Sequence, residues 1–340
     1  MTHVSCASLV CPVGYSAAAA CAAMRAGIAA FSPTGYRDGE GETIVGATVE
    51  ALPPELRGRD RLVALGQFAL DSIDPALVGR LPWGRMPLIL CTREAERPGA
   101  RLTGLVAQLR FPGGMDLAGQ RTAHAGGGAA SAIQALALAR AMLAETDAPA
   151  CLVLGIDSLV DARVLGWLDR TRRLKTPRRA DGVMPGEAAC LAVVSREPLS
   201  DAHVRVRGLG VATESATVFN EEPFRAEGMK AALGHALREA GIGMHDVDFR
   251  LADVAGESHA FEELVLAQTR LMRTVRPSQP LWHPADCIGD CGAVAGLVQL
   301  AWAGQAFHRE YAPGPVAALH MASPFGLRAA AVVAAGGMPA

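Results

Sequence analysis

Three short patterns in the sequence have residue types that could do chemistry. Gly126, Gly127 and Gly128 stand together, as in loops whose backbone N–H groups cradle a phosphate. No Gly-Lys-Ser/Thr follows them and no Gly-x-Gly-x-x-Gly spacing occurs, so they read as a tight strand-to-helix turn and a closely packed helix start. Cys287 and Cys291 lack the second ligand pair that a zinc site needs, and no metal or other cofactor is expected. The remaining six cysteines are scattered, most of them in apolar runs, and read as small buried hydrophobes of a reducing compartment. Arg163, Arg170, Arg172, Arg173, Lys175, Arg178 and Arg179 place seven cations in seventeen positions. That run is either a solvated loop face or a docking surface for an acidic partner.

The elements that must position these residues follow from composition and order. The chain has 340 residues, 50% of them hydrophobic and 19% charged, which is the balance of a compact body with a large core. Few aromatics and abundant Ala, Gly and Val favour close packing of helices on a sheet, an α/β class. A formal charge of -2 offers no field for nucleic acid or an anionic membrane, and neither partner is expected. No signal-like opening and no apolar run of about 18 residues occurs, so a cytoplasmic location is expected.

The order of elements repeats. Strand Val4–Val13, helix Arg59–Ile73, strand Pro87–Cys91, glycine-led helix His124–Glu145 and strands Ala150–Ile156 and Ala188–Val194 make one set. Strand Val204–Thr213, helix Phe224–Ala240, strand Val247–Val254, glycine-led helix Gly289–Ala306 and strands Val316–Ala322 and Arg328–Ala335 make the other. Two such halves, 1–198 and 199–340, would face each other in one five-layered α/β/α/β/α body. A single larger doubly wound sheet is the alternative.

Specific segments then carry a resemblance to the thiolase-fold β-ketoacyl synthases. Asp181-Gly182-Val183-Met184-Pro185-Gly186-Glu187-Ala188-Ala189 resembles the family's DGFVxGEGA, and Ile288-Gly289-Asp290-Cys291-Gly292-Ala293-Val294-Ala295-Gly296 resembles IGHTxGAAG. Pro324-Phe325-Gly326-Leu327-Arg328-Ala329-Ala330 stands where GFGGTNA belongs. Pro12-Val13-Gly14 with Ala23-Met24-Arg25-Ala26-Gly27 looks like the opening strand, turn and helix. Arg121-Thr122-Ala123-His124-Ala125-Gly126 looks like the nucleophile segment DTACAS. Five weak matches in the right order make a strong one.

The resemblance implies a chemistry that the residues do not supply. A condensing enzyme needs a cysteine at a helix N-terminus, where the dipole and backbone donors activate the thiol, and the matching residue is His124. Imidazole cannot hold the stable thioester of the acyl chain. Asp290 replaces the second histidine, Ala285 the supporting lysine and Ala255 the first histidine, with Glu257 at the following threonine. A carboxylate repels a developing enolate instead of stabilising it. His259 follows in a shortened loop, Glu262 or Glu263 retains the acidic residue after it, and Phe325 is the remnant of a gating phenylalanine.

The expectation is therefore a degenerate, non-catalytic member resembling a chain-length-factor-like subunit in fatty acid or polyketide assembly. It would act as a homodimer or as a heterodimer with an active ketosynthase. Its basic run, from Arg170 to Arg179, would meet an acyl carrier protein. Two alternatives are a scaffold that reuses the dimer, for instance in protein assembly or secretion, and an acyl hydrolase or transferase with altered chemistry at His124. In the latter, His124, Asp290 and Glu257 would share the vestigial pocket with His259 and Phe325. The dimer edge is expected at Ala150–Ile156.

Overall fold

The computed structural model describes residues 2–115 and 121–336. The chain begins β1 (Thr2–Val10), α1 (Ala17–Arg25), β2 (Phe31–Arg37), β3 (Thr43–Ala47), α2 (Gly58–Asp71), α3 (Pro75–Arg80) and β4 (Leu88–Thr92). It continues β5 (Thr122–Gly126), α4 (Ser131–Glu145), β6 (Ala150–Ser158), α5 (Ala162–Arg170) and β7 (Glu187–Ser195). After a short connection come β8 (His203–Thr213), α6 (Glu227–Ala240), β9 (Phe249–Ala252), α7 (Ser258–Leu271), β10 (Leu281–Trp282) and α8 (Ala285–Ile288). The last elements are α9 (Ala295–His308), β11 (Val316–Ala322) and β12 (Leu327–Ala335).

The strand order is a palindrome about one seam. Outward from β1 the strands run β7, β6, β4, β5, and outward from β8 they run β12, β11, β9, β10. Both wings change from antiparallel to parallel at the same step, since β6 and β11 each pair antiparallel inward and parallel outward. The wings join where Thr2–Ser5 of β1 pairs antiparallel with His203–Val206 of β8.

Alternation along the strands decides the layers, because successive side chains point to opposite faces. Cys151 and Val153 of β6, Cys190 and Val194 of β7, and Ala317, Leu319 and Met321 of β11 share one core with α4 and α9. Leu152, Leu154 and Ile156 with Ala189, Leu191 and Val193 turn the other way, onto α2. Ala318, Ala330 and Val332 turn onto α6 and α7. The result is a thiolase-like arrangement with α4 and α9 in the middle layer. Both helices are rich in small apolar residues because they are covered from two sides. At Gly296 of α9 a Cβ would run into Ala132 of α4 and Met321 of β11, so only glycine permits this approach.

Two sequence expectations are corrected here. The helix expected from His124 begins at Ser131, because Thr122–Gly126 pairs parallel with Leu88–Thr92 and the three glycines then break the chain into a turn. Ala150–Ile156 is not an edge: β6 lies between β4 and β7 and is buried along its whole length. Its unbroken apolar run reflects two covered faces and two paired flanks. The edge of that wing is β5, whose mixed sequence is largely accessible.

Candidate functional site

The carboxyl ends of the parallel strands of both wings converge on one cavity, the place where open α/β sheets usually hold their ligands. Glu94 and Arg97 follow β4, and Leu159 follows β6. Asp253, Ala255, Glu257 and His259 follow β9, Ser323 and Pro324 lie in the turn from β11 into β12, and Arg328 stands near the start of β12. The cavity measures about 90 Å³. Pockets for acyl-sized or drug-sized ligands run to roughly 300–1,000 Å³, so this chamber has room for a few waters or a very small polar group.

Its wall is ionic. Arg97 pairs with Asp157 and lies 3.3 Å from Glu94, Arg328 meets Glu263 at 2.7 Å, and Arg173 grips Glu257 through two hydrogen bonds of 2.7 and 2.6 Å. Ser323 donates to Glu94 at 3.0 Å. Asp253 and Asp290 accept backbone N–H groups of Ala322 and Gly292, each at 2.8 Å. Both keep some surface toward the cavity, yet they sit deep in the body, and burial pushes Asp253 up to about 7 and Asp290 up to about 6. Burial also lowers His259, helped by the nearby Arg328.

The turn that opens α4 begins at Gly128, at φ 59°. A Cβ built on Gly128 would overlap the Glu94 carboxylate, so Glu94 fills the space that a side chain at this helix start would need. A carboxylate there is favoured by the positive end of the helix dipole. Cys291, beside Asp290, is buried and its thiol is raised well above the usual range by that burial. Among the described residues no cysteine lines the main cavity.

The expected site residues separate. Ala255, Glu257, His259 and Asp290 line the cavity together, and Ala285 lies with Asp253 and Asp290 in a smaller recess beside it. His124 does not join them. It is exposed on β5, next to a shallow surface groove bordered by Gln134, Leu138 and Val211, and the grouping of His124 with Asp290 and Glu257 is corrected accordingly. The glycines explain the error, since they form a turn that separates His124 on β5 from the start of α4 at Ser131.

Arg173 also moves, from the basic surface into the cavity wall, held by Glu257. Arg170, Arg172, Lys175 and Arg178 are exposed, with Arg178 3.0 Å from Glu40, while Arg179 is 3.6 Å from Asp169. Phe325 stands at the rim, stacked on Phe219 at 5.1 Å and on Trp167 at 6.0 Å, and the Arg173 guanidinium lies over Trp167 and Phe219. Sequence reasoning missed Glu94, Arg97, Asp157 and the paired role of Arg328. The available signal was charge placed directly at the end of fully apolar strands.

No family model matches the sequence. The curated actinorhodin polyketide β-ketoacyl synthase 2 of Streptomyces coelicolor is 30% identical over 152 residues, 40% of this chain and 36% of that protein, so the match spans about a third of the relative's length. Among solved structures, the ketosynthase ApeO in complex with its chain length factor ApeC from Xenorhabdus doucetiae aligns with a TM-score of 0.72 at 14% identity, covering 98% of each chain. The ishigamide ketosynthase/chain length factor aligns with a TM-score of 0.68 at 19% identity, over 98% of this chain and 99% of that one. The AntDE:AntF complex of a type II acyl carrier protein with its ketosynthase gives 0.73 at 13% identity, over 98% and 99%. With its palindromic sheet, its two central helices and these full-length alignments, the chain has the thiolase-like fold of the β-ketoacyl synthases.

Proposed function

We propose that this protein is a non-catalytic partner subunit of a ketosynthase in polyketide-type acyl-chain assembly. The observation that carries the reading is the start of α4, where Gly128 offers no nucleophile and the Glu94 carboxylate fills the vacant space. Asp290 and Ala255 add to it, because neither donates a hydrogen bond from an imidazole to an enolate. The 90 Å³ cavity supports it further, since it is small beside the roughly 300–1,000 Å³ of pockets for drug-sized ligands. The neighbours in fold include a ketosynthase solved with its chain length factor and another solved with its acyl carrier protein, which makes a ketosynthase and a carrier protein the partners to test. Altered chemistry at His124 is the less favoured reading, because that residue lies outside the cavity.

The test is co-expression with a complete ketosynthase and its carrier protein. The expected result is a stable heteromer that extends malonyl units, with this chain alone giving neither decarboxylation nor condensation. Turnover by the isolated chain, persisting after any contaminating synthase is removed, would overturn the non-catalytic reading. A stable complex with other proteins and none with a ketosynthase would turn it toward a scaffold.

A further inference from the structure

Strands β1 and β7 run antiparallel through the middle of the sheet, and each carries a cysteine that faces the central core. In the ladder Cys6 is opposite Ala192 and Cys190 is opposite Leu9, with a register shift between Cys6 and Ser8. Such a bulge bends the strand and re-aims its side chains. Cys6 Sγ stands 3.7 Å from Cys190 Sγ, the one sulfur–sulfur contact among the described residues. The Cys6 thiol also reaches the Ser8 carbonyl at 3.4 Å, which leaves Cys190 as the donor toward the Cys6 sulfur. That hydrogen bond first, and burial second, hold Cys190 protonated well above the ordinary range.

The two thiols differ in access. Of the eight cysteines, Cys6 is partly exposed and the other seven are buried. Oxidation selects the exposed thiol, and a second thiol in contact resolves the product. We propose that Cys6 and Cys190 form an oxidisable dithiol, with Cys6 taking the oxidant and Cys190 closing a disulfide between β1 and β7. This goes beyond the partner-subunit reading and does not depend on it.

The co-reactant is hydrogen peroxide. The Cys6 sulfur attacks the terminal oxygen, the O–O bond breaks, and the leaving hydroxide takes the thiol proton to become water, leaving a sulfenic acid on Cys6. The Cys190 sulfur then attacks the Cys6 sulfur, the S–O bond breaks, and the departing hydroxide takes the Cys190 proton as a second water. Two thiols are oxidised by two electrons and one peroxide is reduced. A disulfide needs its sulfurs at roughly 2.05 Å, so the pair closes by side-chain rotation across the bulge.

The experiment treats the folded full-length protein with hydrogen peroxide, then counts thiols after denaturation and maps the peptides. The expected result is a loss of two thiols, an intact mass lower by two hydrogens, a Cys6–Cys190 linked peptide, and full reversal by dithiothreitol. In Cys190→Ala the sulfenic acid on Cys6 should persist and be captured by dimedone. Unchanged thiols, a link between other cysteines, or sulfinic acid on Cys6 without a disulfide in the wild type would each overturn the proposal. The wild-type peptide map decides the matter even where Cys190→Ala fails to fold.

Discussion

Asp253 and Asp290 make the cavity sensitive to pH. Their carboxyl groups take up protons more readily in the folded protein than in the unfolded chain, so between about pH 4 and pH 7 the native state binds more protons and stability falls as pH rises. The melting temperature should therefore drop across that window and level off above it. Asp253→Asn should flatten the slope and raise the melting temperature near pH 7.5, because the amide oxygen still accepts from Ala322 without carrying a buried charge. An unchanged slope in thermal melts would show that Asp253 is ionised at no cost. Gly128→Cys is the second test at this scale. A side chain there must adopt φ near 59° and push aside Glu94, costing more than about 1 kcal/mol, and mass spectrometry with an acyl thioester should find no acyl adduct on it. The place of Asp290 and Ala255 at the cavity was legible because glycine-marked motifs fix their positions. Glu94 was not, since nothing in a linear pattern shows that a residue 34 positions earlier reaches the space beside Gly128.

At the scale of elements, β5 behaves differently from every strand that the periodicity identified. Strands β6, β7, β11 and β12 were plain as apolar runs because each is buried on both faces, whereas β5 is five residues with mixed character and merges by composition into the glycines after it. Its pairing, not its sequence, makes it a strand. Leu88 N–H bonds to the Arg121 carbonyl, and alternation along a parallel strand then turns the N–H groups of Ala123 and Ala125 toward β4 and those of Thr122, His124 and Gly126 outward. An edge with free donors beside the exposed Leu138 and Val211 is a template for another strand. His124→Pro removes one outward donor and no ladder bond, so the monomer should stay folded while association, with a second copy or a ketosynthase, is lost by light scattering. A folded variant that still associates would place the interface elsewhere. By contrast, a charge at Val153 would fail in the core of the monomer and report nothing about partners.

The whole molecule joins two equivalent wings, and their repetition was readable because both wings need the same order of buried strands and helices, Val4–Val13 onward and Val204–Thr213 onward. What the repeat could not convey is which polar side chains turn inward at the junction, and Arg173 is the clearest case. In the sequence it belongs to a basic run. In the fold its guanidinium is bound to Glu257 and covered by Trp167 and Phe219, so it contributes nothing to a surface field. The docking surface proposed for a carrier protein therefore contracts to Arg170, Arg172, Lys175 and Arg178, which remain exposed. Reversing Arg172, Lys175 and Arg178 to Glu should weaken capture of an acidic carrier protein several-fold and reduce its dependence on salt, because attraction between exposed charges is screened over roughly 8 Å at physiological ionic strength. Stability should move by less than about 0.5 kcal/mol, as for most surface substitutions. Arg173→Glu in isolation should do the opposite, lowering the melting temperature by breaking the bidentate pair with Glu257 while leaving the salt dependence of capture in place. If the triple variant is folded and binds a carrier protein with unchanged affinity and salt dependence, the basic run is a solvated connection between α5 and β7, and carrier docking must use another face.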